Sequence, residues 1–295
     1  MSCQLGLSTQ PCRKLTIVGR CDNNERMTGL QVLLLAAVFF VTSGVSVVTG
    51  STSLITVPAM FEVGIAPRTA IATNMFALTF LSIGGSLPFL RGKGPDLRRL
   101  PWLIVLTLAG SICGAFLLLI VPQGSVPFVV STAMIGVAIF SLIYRRAGVD
   151  RSPSPPPVAG EIAGYTLTFV LGIYGGFFSG GYVTVLTAVY VVMFRMTFVE
   201  AIATTKLVNI FSSGVATVIF MGHGLVNYRL GAILGATMFV GALLGARFAI
   251  RLGNEWLRRI YLTAVWLLGL KMLLYDVTRQ YVSCGSPERH AVSAE

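Results

Sequence analysis

The sequence predicts an all-α polytopic membrane protein, with about 8–10 transmembrane or re-entrant segments in two homologous halves. Hydrophobic residues make up 55% of the chain and charged residues only 11%, whereas a soluble domain is about 25% charged. Several apolar runs reach the roughly 20 residues that a helix needs to cross a bilayer. The net charge of +11 lies in short loops, so it indicates cytoplasmic membrane loops and not nucleic-acid binding.

A shift of 131 residues lays the first half of the chain on the second half without a gap. The clearest block is the run Ala-Ile-Ala-Thr, which stands at 70–73 and again at 201–204. Four glycines keep the same register, because Gly44, Gly50, Gly110 and Gly114 fall on Gly175, Gly181, Gly241 and Gly245. We interpret this register as an internal duplication.

The duplication sets the predicted domain order. A polar, basic leader at 1–29 precedes the first membrane repeat at 30–146, and a proline-rich linker at 147–160 separates it from the second repeat at 161–277. A polar tail at 278–295 ends the chain. Met27 stands directly before the first apolar run, so a disordered leader and a translation start at Met27 are both open.

Each half is predicted to begin with a broken helix. The apolar pieces 30–48 and 54–61 flank a Gly/Ser/Thr run, and we expect neither to be a full span on its own. The glycine-rich stretch 162–194 is too long for one plain helix and predicts a second broken or re-entrant pair. Plain spans are predicted at 69–90, 102–121 and 126–144, and then at 198–221, 228–250 and 256–275.

The basic loops predict how the halves are oriented. Arginines and lysines concentrate at 91–99, 145–151 and 247–259, and the positive-inside rule places all three in the cytoplasm. That requires an odd number of crossings per half, so we expect inverted repeats. The basic N-terminus is the one feature that argues against this orientation.

The two glycine-rich breaks are the first candidates for a binding site. A helix interrupted inside a membrane protein presents free N–H groups and a positive helix end, which can hold an anion. Gly180 and Gly181 would let a substrate approach the backbone, and Gly50, Ser51 and Thr52 add hydroxyl donors in the first repeat. The alternative is that the glycines only allow close helix packing.

Lys206 is the sharpest single candidate, because an ionisable group inside an apolar span is functional by default. It shares one helix face with Asn209 and Ser213, at i, i+3 and i+7. Such a lining suits an oxyanion. The alternatives are snorkelling, pairing with Glu200, and polar contacts between helices. The remaining predicted lining residues are Thr204 and Thr205 in the second repeat, with Thr73 and Asn74 in the first.

Enzyme chemistry finds no support in the sequence, which predicts that the protein is not an enzyme. It contains no HExxH and no GxSxG motif, and its cysteines and histidines have no metal-site spacing. Glu62, Arg195 and Glu200 stand at segment ends, where they would gate the path or relay protons, or simply face the membrane interface. No cofactor and no metal site are predicted.

The order of the motifs resembles the TauE/SafE sulfite-exporter-like family from about 30 to 277. The features that carry the resemblance are the glycine-rich breaks, Val57-Pro58, the repeated 70–73 block, the run from Gly222 to Arg229, and the small-residue helix from Gly235 to Arg247. The first break differs in lacking a double glycine, and Val189 stands where a second proline would repeat.

The resemblance implies a secondary transporter in the bacterial inner membrane. Its expected substrate is a small sulfur-containing anion such as sulfite, thiosulfate or an organosulfonate, carried mainly outward by alternating access, without a cofactor. The expected partners are this small anion and membrane lipid, and the sequence leaves open whether the protein forms a homodimer. The alternatives are a permease for another small solute (a carboxylate or a metal cation) and a non-transporting membrane scaffold.

Overall fold

The computed structural model describes residues 29–50, 52–90, 97–126, 128, 132, 158–249 and 251. Within these residues the protein is all helical, with eight α-helices and a short 3₁₀ turn at Gln123–Ser125. The first half contains α1 (Gly29–Thr49), α2 (Ser53–Glu62), α3 (Pro67–Leu90) and α4 (Leu100–Ile120). The second half contains α5 (Val158–Phe177), α6 (Tyr182–Met193), α7 (Phe198–Gly222) and α8 (Tyr228–Ala249).

Six of these helices are long and apolar enough to cross a membrane, and the two exceptions are the half-helices α2 and α6. The predicted all-α membrane class is therefore confirmed. The expectation that neither piece around the first break is a full span is wrong for α1, whose 21 residues extend about 31 Å. The spans predicted at 126–144 and 256–275 lie almost wholly outside the described residues.

The two halves are interlocked, because the fourth helix of each half packs on the other half. α4 packs against α5 and α7, while α8 packs against α1 and α3. Glycines allow both contacts, because they let helix backbones approach each other closely. A Cβ on Gly114 would overlap the Ile173 carbonyl of α5, and a Cβ on Gly245 would overlap the Gly44 carbonyl of α1.

The contacts between helices also fix their directions. Along α3 and α7, Ser82 meets Asn209 and Thr79 meets Ser213, so residue numbers rise on one helix as they fall on the other. α3 and α7 are therefore antiparallel. Farther along the same direction, the Asn227 N–H after α7 donates to the Thr73 hydroxyl near the start of α3.

α3 and α8 run in the same direction. A Cβ on Gly235 would touch the Phe80 ring, and a Cβ on Gly84 would overlap the Phe239 backbone, so the residue numbers rise together. The carboxyl ends of α3 and α8 thus lie at the same end of the bundle, as the basic stretches 91–99 and 247–259 predict. Corresponding helices of an inverted repeat are antiparallel, and α3 and α7 meet that condition. The duplication itself stays a prediction.

Candidate functional site

The two helix breaks touch each other inside the bundle. Gly50, the residue after α1, has φ +72°, and Gly181, which precedes α6, has φ +74°. A Cβ on Gly50 would lie 2.7 Å from the backbone nitrogen of Thr184, so only glycine fits. The Thr184 hydroxyl donates to the Thr49 carbonyl at 2.5 Å. Both threonines are buried, so this contact does not face lipid.

Both half-helices start at these breaks. The first turn of a helix has N–H groups without intrahelical acceptors and carries the positive end of the helix dipole. Thr52, the N-cap residue of α2, is buried and makes no side-chain capping bond. At the second break, the carbonyl of Gly180 accepts a hydrogen bond from the Tyr174 hydroxyl. Ser51 lies outside the described residues.

Lys206 is almost completely buried, with 1% of its surface exposed. Its Nζ donates to the Ser46 carbonyl at 3.1 Å, and the same oxygen accepts the Gly50 N–H at 2.7 Å. The ammonium thus sits at the carboxyl end of α1, the negative end of that helix. Because the side chain ends at an interior carbonyl and passes Gly85 of α3, snorkelling does not describe it.

No carboxylate in the described part of the chain pairs with Lys206. Glu62 is exposed at the end of α2, and Glu161 pairs with Arg99 at 2.5 Å. Glu200 accepts the Thr197 N–H at 2.9 Å in the capping box of α7. An ammonium has three donors, and the Ser46 carbonyl is the one acceptor for it among the described residues. The other two N–H groups of the ammonium have no acceptor in that part of the chain.

Two residues of the predicted stripe on α7, Asn209 and Ser213, face α3. The Asn209 side-chain amide donates to the Ser82 hydroxyl of α3 at 2.6 Å. The Ser213 hydroxyl donates to the backbone carbonyl of Asn209, one turn earlier on α7, at 2.6 Å. Thr79 donates to Ser213 at 3.2 Å. In this conformation Asn209 and Ser213 therefore join two helices, while the Asn209 Oδ1 atom is buried without a partner in the described part.

Sequence reasoning missed two corresponding threonines, Thr56 on α2 and Thr187 on α6. Thr56 donates to Asn74 Oδ1 at 2.8 Å, and Thr187 lies 3.3 Å from the Thr205 hydroxyl. Both pairs occupy positions that are 131 residues apart, so the repeat register was the signal that could have found them. The Asn74 amide also donates to Ser53 at 2.9 Å.

The other predicted residues are spread over the bundle. The Thr73 hydroxyl accepts from the Asn227 N–H at 3.1 Å. The Thr204 hydroxyl is buried without a partner among the described residues. Arg195 stands in the turn before α7 with φ +54°, a conformation that non-glycine residues rarely adopt. Glu62, Arg195 and Glu200 thus lie at helix ends and are not brought together with Lys206.

Known proteins are similar in sequence to this chain along most of its length. The family model for the sulfite exporter TauE/SafE matches residues 34–272. A probable membrane transporter protein ORF9 of Sinorhizobium sp is 27% identical over 253 residues, which cover 84% of this chain and 95% of that protein. No solved structure matches the chain.

Two further relatives carry similar names. A probable membrane transporter protein of Haemophilus influenzae is 25% identical over 84% of this chain and 96% of its own length. The probable membrane transporter protein YfcA of Escherichia coli K12 is 26% identical over 83% of this chain and 91% of its own length. With six apolar spans and a family model that covers most of the sequence, the chain is a multi-pass membrane transporter of the TauE/SafE sulfite exporter family.

Proposed function

We propose that the protein carries a small sulfur-containing anion, such as sulfite, thiosulfate or an organosulfonate, across the bacterial inner membrane. Transport would run mainly outward, by alternating access of the two halves around a site at the helix breaks. The observation that carries this proposal is the buried Lys206 ammonium, which has one carbonyl partner and no acid partner in the described part.

An anion at Lys206 would meet a full positive charge in a place shielded from water. Charge-assisted hydrogen bonds are roughly twice as strong as neutral ones, and the two unused N–H groups of the ammonium can donate them. The Gly50 N–H and the Lys206 ammonium both donate to the Ser46 carbonyl, so the first break lies beside the lysine. The first turn of α6 lies directly against Gly50, so its positive end would add to the attraction.

The contact with Ser46 suggests how binding could be coupled to movement. Lys206 on α7 holds the carboxyl end of α1, so the contact joins the second half of the chain to the first. An arriving anion competes with the Ser46 carbonyl for the ammonium. A ligand shifts a conformational equilibrium only through its different affinity for the two states, and this exchange of partners would provide such a difference.

A metal cation is a weaker candidate than an anion. No group of three or more histidine, cysteine or acidic side chains occurs in the described residues, and the buried charge at the breaks is positive. A carboxylate substrate shares the anionic chemistry and has to be separated by experiment. A scaffold without transport would have no need of a buried cation at two helix breaks.

Flux into liposomes that contain the purified full-length protein tests the proposal. Sulfite, thiosulfate and an organosulfonate are compared with a small carboxylate and a divalent metal ion. We expect saturable flux of at least one sulfur anion, and none in liposomes without protein. Flux of the carboxylate or the metal ion alone would establish the corresponding alternative, and flux of none of the solutes would support the scaffold.

A further inference from the structure

Four buried hydroxyls outside the predicted site lie together between α4, α6 and α7. These residues, called the hydroxyl cluster below, are Thr107, Ser111, Tyr182 and Ser212, each at most 1% exposed. The hydroxyl oxygens of Ser111 and Ser212 are 2.6 Å apart, and Ser111 also donates to the Gly172 carbonyl of α5 at 3.2 Å. The Tyr182 hydroxyl lies near the hydroxyls of Thr107 and Ser212, but no well-aligned hydrogen bond joins it to either of them.

Two of these four hydroxyls are paired with each other, since Ser111 and Ser212 share a hydrogen bond in which either can be the donor. The hydroxyls of Tyr182 and Thr107 have no hydrogen-bond partner in the described part of the chain. Buried polar groups are rarely unsatisfied, since each one destabilises the fold. Two such donors in one place therefore indicate a ligand that the cluster receives.

The double glycine of α5 holds this cluster in position. A Cβ on Gly175 would lie 3.0 Å from atoms of the Tyr182 ring, and a Cβ on Gly176 would overlap the Ser111 backbone. The two glycines thus let α5 close directly on both residues. Tyr182 is also the first residue of α6, so its backbone lies at the positive end of that half-helix.

We propose that the hydroxyl cluster is a second binding subsite, which takes the oxygen atoms of an oxyanion. The inference rests on the proposed function and extends it. The O–H groups of Tyr182 and Thr107 donate to the anion, and the amino end of α6 meets its charge without a side-chain cation. Neutral donors at a helix amino end are a common way to hold an oxyanion.

The subsite is separate from the lysine. Lys206 and Ser212 are six residues apart on α7, which is a rise of about 9 Å and a rotation of about 600°. They therefore point to different sides of the helix, Lys206 towards α1 and α3, and Ser212 towards α4. An anion would bind at these two places in succession.

Two substitutions remove the unused hydroxyls and keep the shape of the side chains, namely Tyr182→Phe and Thr107→Val. The matched control is Tyr190→Phe, since Tyr190 lies on the same helix, is fully buried and also has an unpaired hydroxyl, but faces Thr168. The probe is thiosulfate, whose binding to the full-length protein is measured directly and by the shift that it causes in the melting temperature.

We expect each cluster variant to bind thiosulfate roughly ten-fold or more weakly, because a hydrogen bond to a charged group is lost. Tyr190→Phe should bind like the wild type. Without thiosulfate, the melting temperature of the cluster variants should stay the same or rise, because an unsatisfied buried group has been removed.

Unchanged thiosulfate affinity in both cluster variants would show that the hydroxyls hold only water, and would overturn the subsite. A lower melting temperature without ligand, together with unchanged affinity, would show a structural role and would overturn it as well. If the wild type transports and binds a sulfur anion while the variants match it, the subsite alone fails. If the wild type binds no sulfite, thiosulfate or organosulfonate, the proposed function fails too.

Discussion

The two helix breaks share a backbone turn but differ in the side chains around it. Gly50 and Gly181 have nearly the same φ, +72° and +74°, and they stand 131 residues apart. Beside Gly50 the Ser46 carbonyl holds the Lys206 ammonium. Beside Gly181 stands Tyr182, which belongs to the neutral hydroxyl cluster. The turn is the same at both breaks and the chemistry is different, so the backbone alone does not determine what each break binds.

The largest effect should come from filling the contact between the breaks. Gly50→Ala would place a Cβ 2.7 Å from the Thr184 nitrogen, where backbone cannot yield cheaply, and would also strain a positive φ. We expect transport to be lost and the melting temperature to fall. Flux in liposomes and thermal unfolding measure the two effects.

Gly64→Ala is the matched control, because Gly64 has φ +86° and nothing within 4 Å of an added Cβ. It introduces the same kind of backbone strain, about 1–2 kcal/mol, without the steric overlap. Transport should persist in this variant. If the two variants behave alike, strain and not the contact explains the effect, and the meeting of the breaks has no special importance.

The direction of α3 and α7 can be tested by cross-linking. In a cysteine-free background, Thr79→Cys with Ser213→Cys should form a disulfide, because the native hydroxyls are 3.2 Å apart. The pair Thr73→Cys with Asn209→Cys should not, because the antiparallel register separates these positions by about 13 Å. Gel mobility with and without reductant provides the readout. The opposite pattern would rule out the antiparallel arrangement and, with it, the inverted repeat.

The smallest effect that we expect is a difference in stability between two variants, Thr56→Val on α2 and Thr187→Val on α6. Thr56→Val removes the hydroxyl that donates to Asn74 Oδ1 at 2.8 Å. Thr187→Val removes a longer contact, 3.3 Å, to the Thr205 hydroxyl, which keeps the Ile202 carbonyl as its acceptor. We expect about 1–2 kcal/mol of lost stability for Thr56→Val and less than about 1 kcal/mol for Thr187→Val. Equal losses would mean that the two half-helices are held equally.

Much of the helical framework could be predicted from the sequence. Span length, apolar composition and the glycine breaks determine where helices start and stop, and the predicted segment 198–221 matches α7 to one residue. The predicted segment 30–48 likewise matches α1 to one residue at each end, although it was expected to fall short of a full span. The small polar residues at the end of α1 remain helical because their hydroxyls bond to carbonyl groups of the preceding turn, as Ser46 does to Ser43.

The partners of the site residues were much harder to predict. Helical spacing placed Lys206, Asn209 and Ser213 on one face, but it could not identify α3 and α1 as the helices that they meet. Ser111 and Ser212 are 101 residues apart in the chain, and no local pattern links them. Glu200 was predicted to gate the path, relay protons or face the membrane interface. Its carboxylate caps α7, which the sequence Thr-x-x-Glu from Thr197 could have indicated.

The affinity of Lys206→Met for a sulfur anion tests the central claim most directly. Methionine keeps the length of the side chain and removes its charge, so the fold should persist. Losing one charged hydrogen bond corresponds to about 1.5–3 kcal/mol, or roughly ten- to a hundred-fold weaker binding. Lys206→Arg should rescue binding only in part, because the guanidinium is larger and planar.

Arg229→Met is the matched control, since it removes an exposed positive charge at the start of α8. We predict a large loss of thiosulfate affinity in Lys206→Met and none in Arg229→Met, with both proteins folded and inserted. Unchanged affinity in Lys206→Met would contradict the account, because the buried ammonium would then serve only to hold α1 and the anion would bind elsewhere.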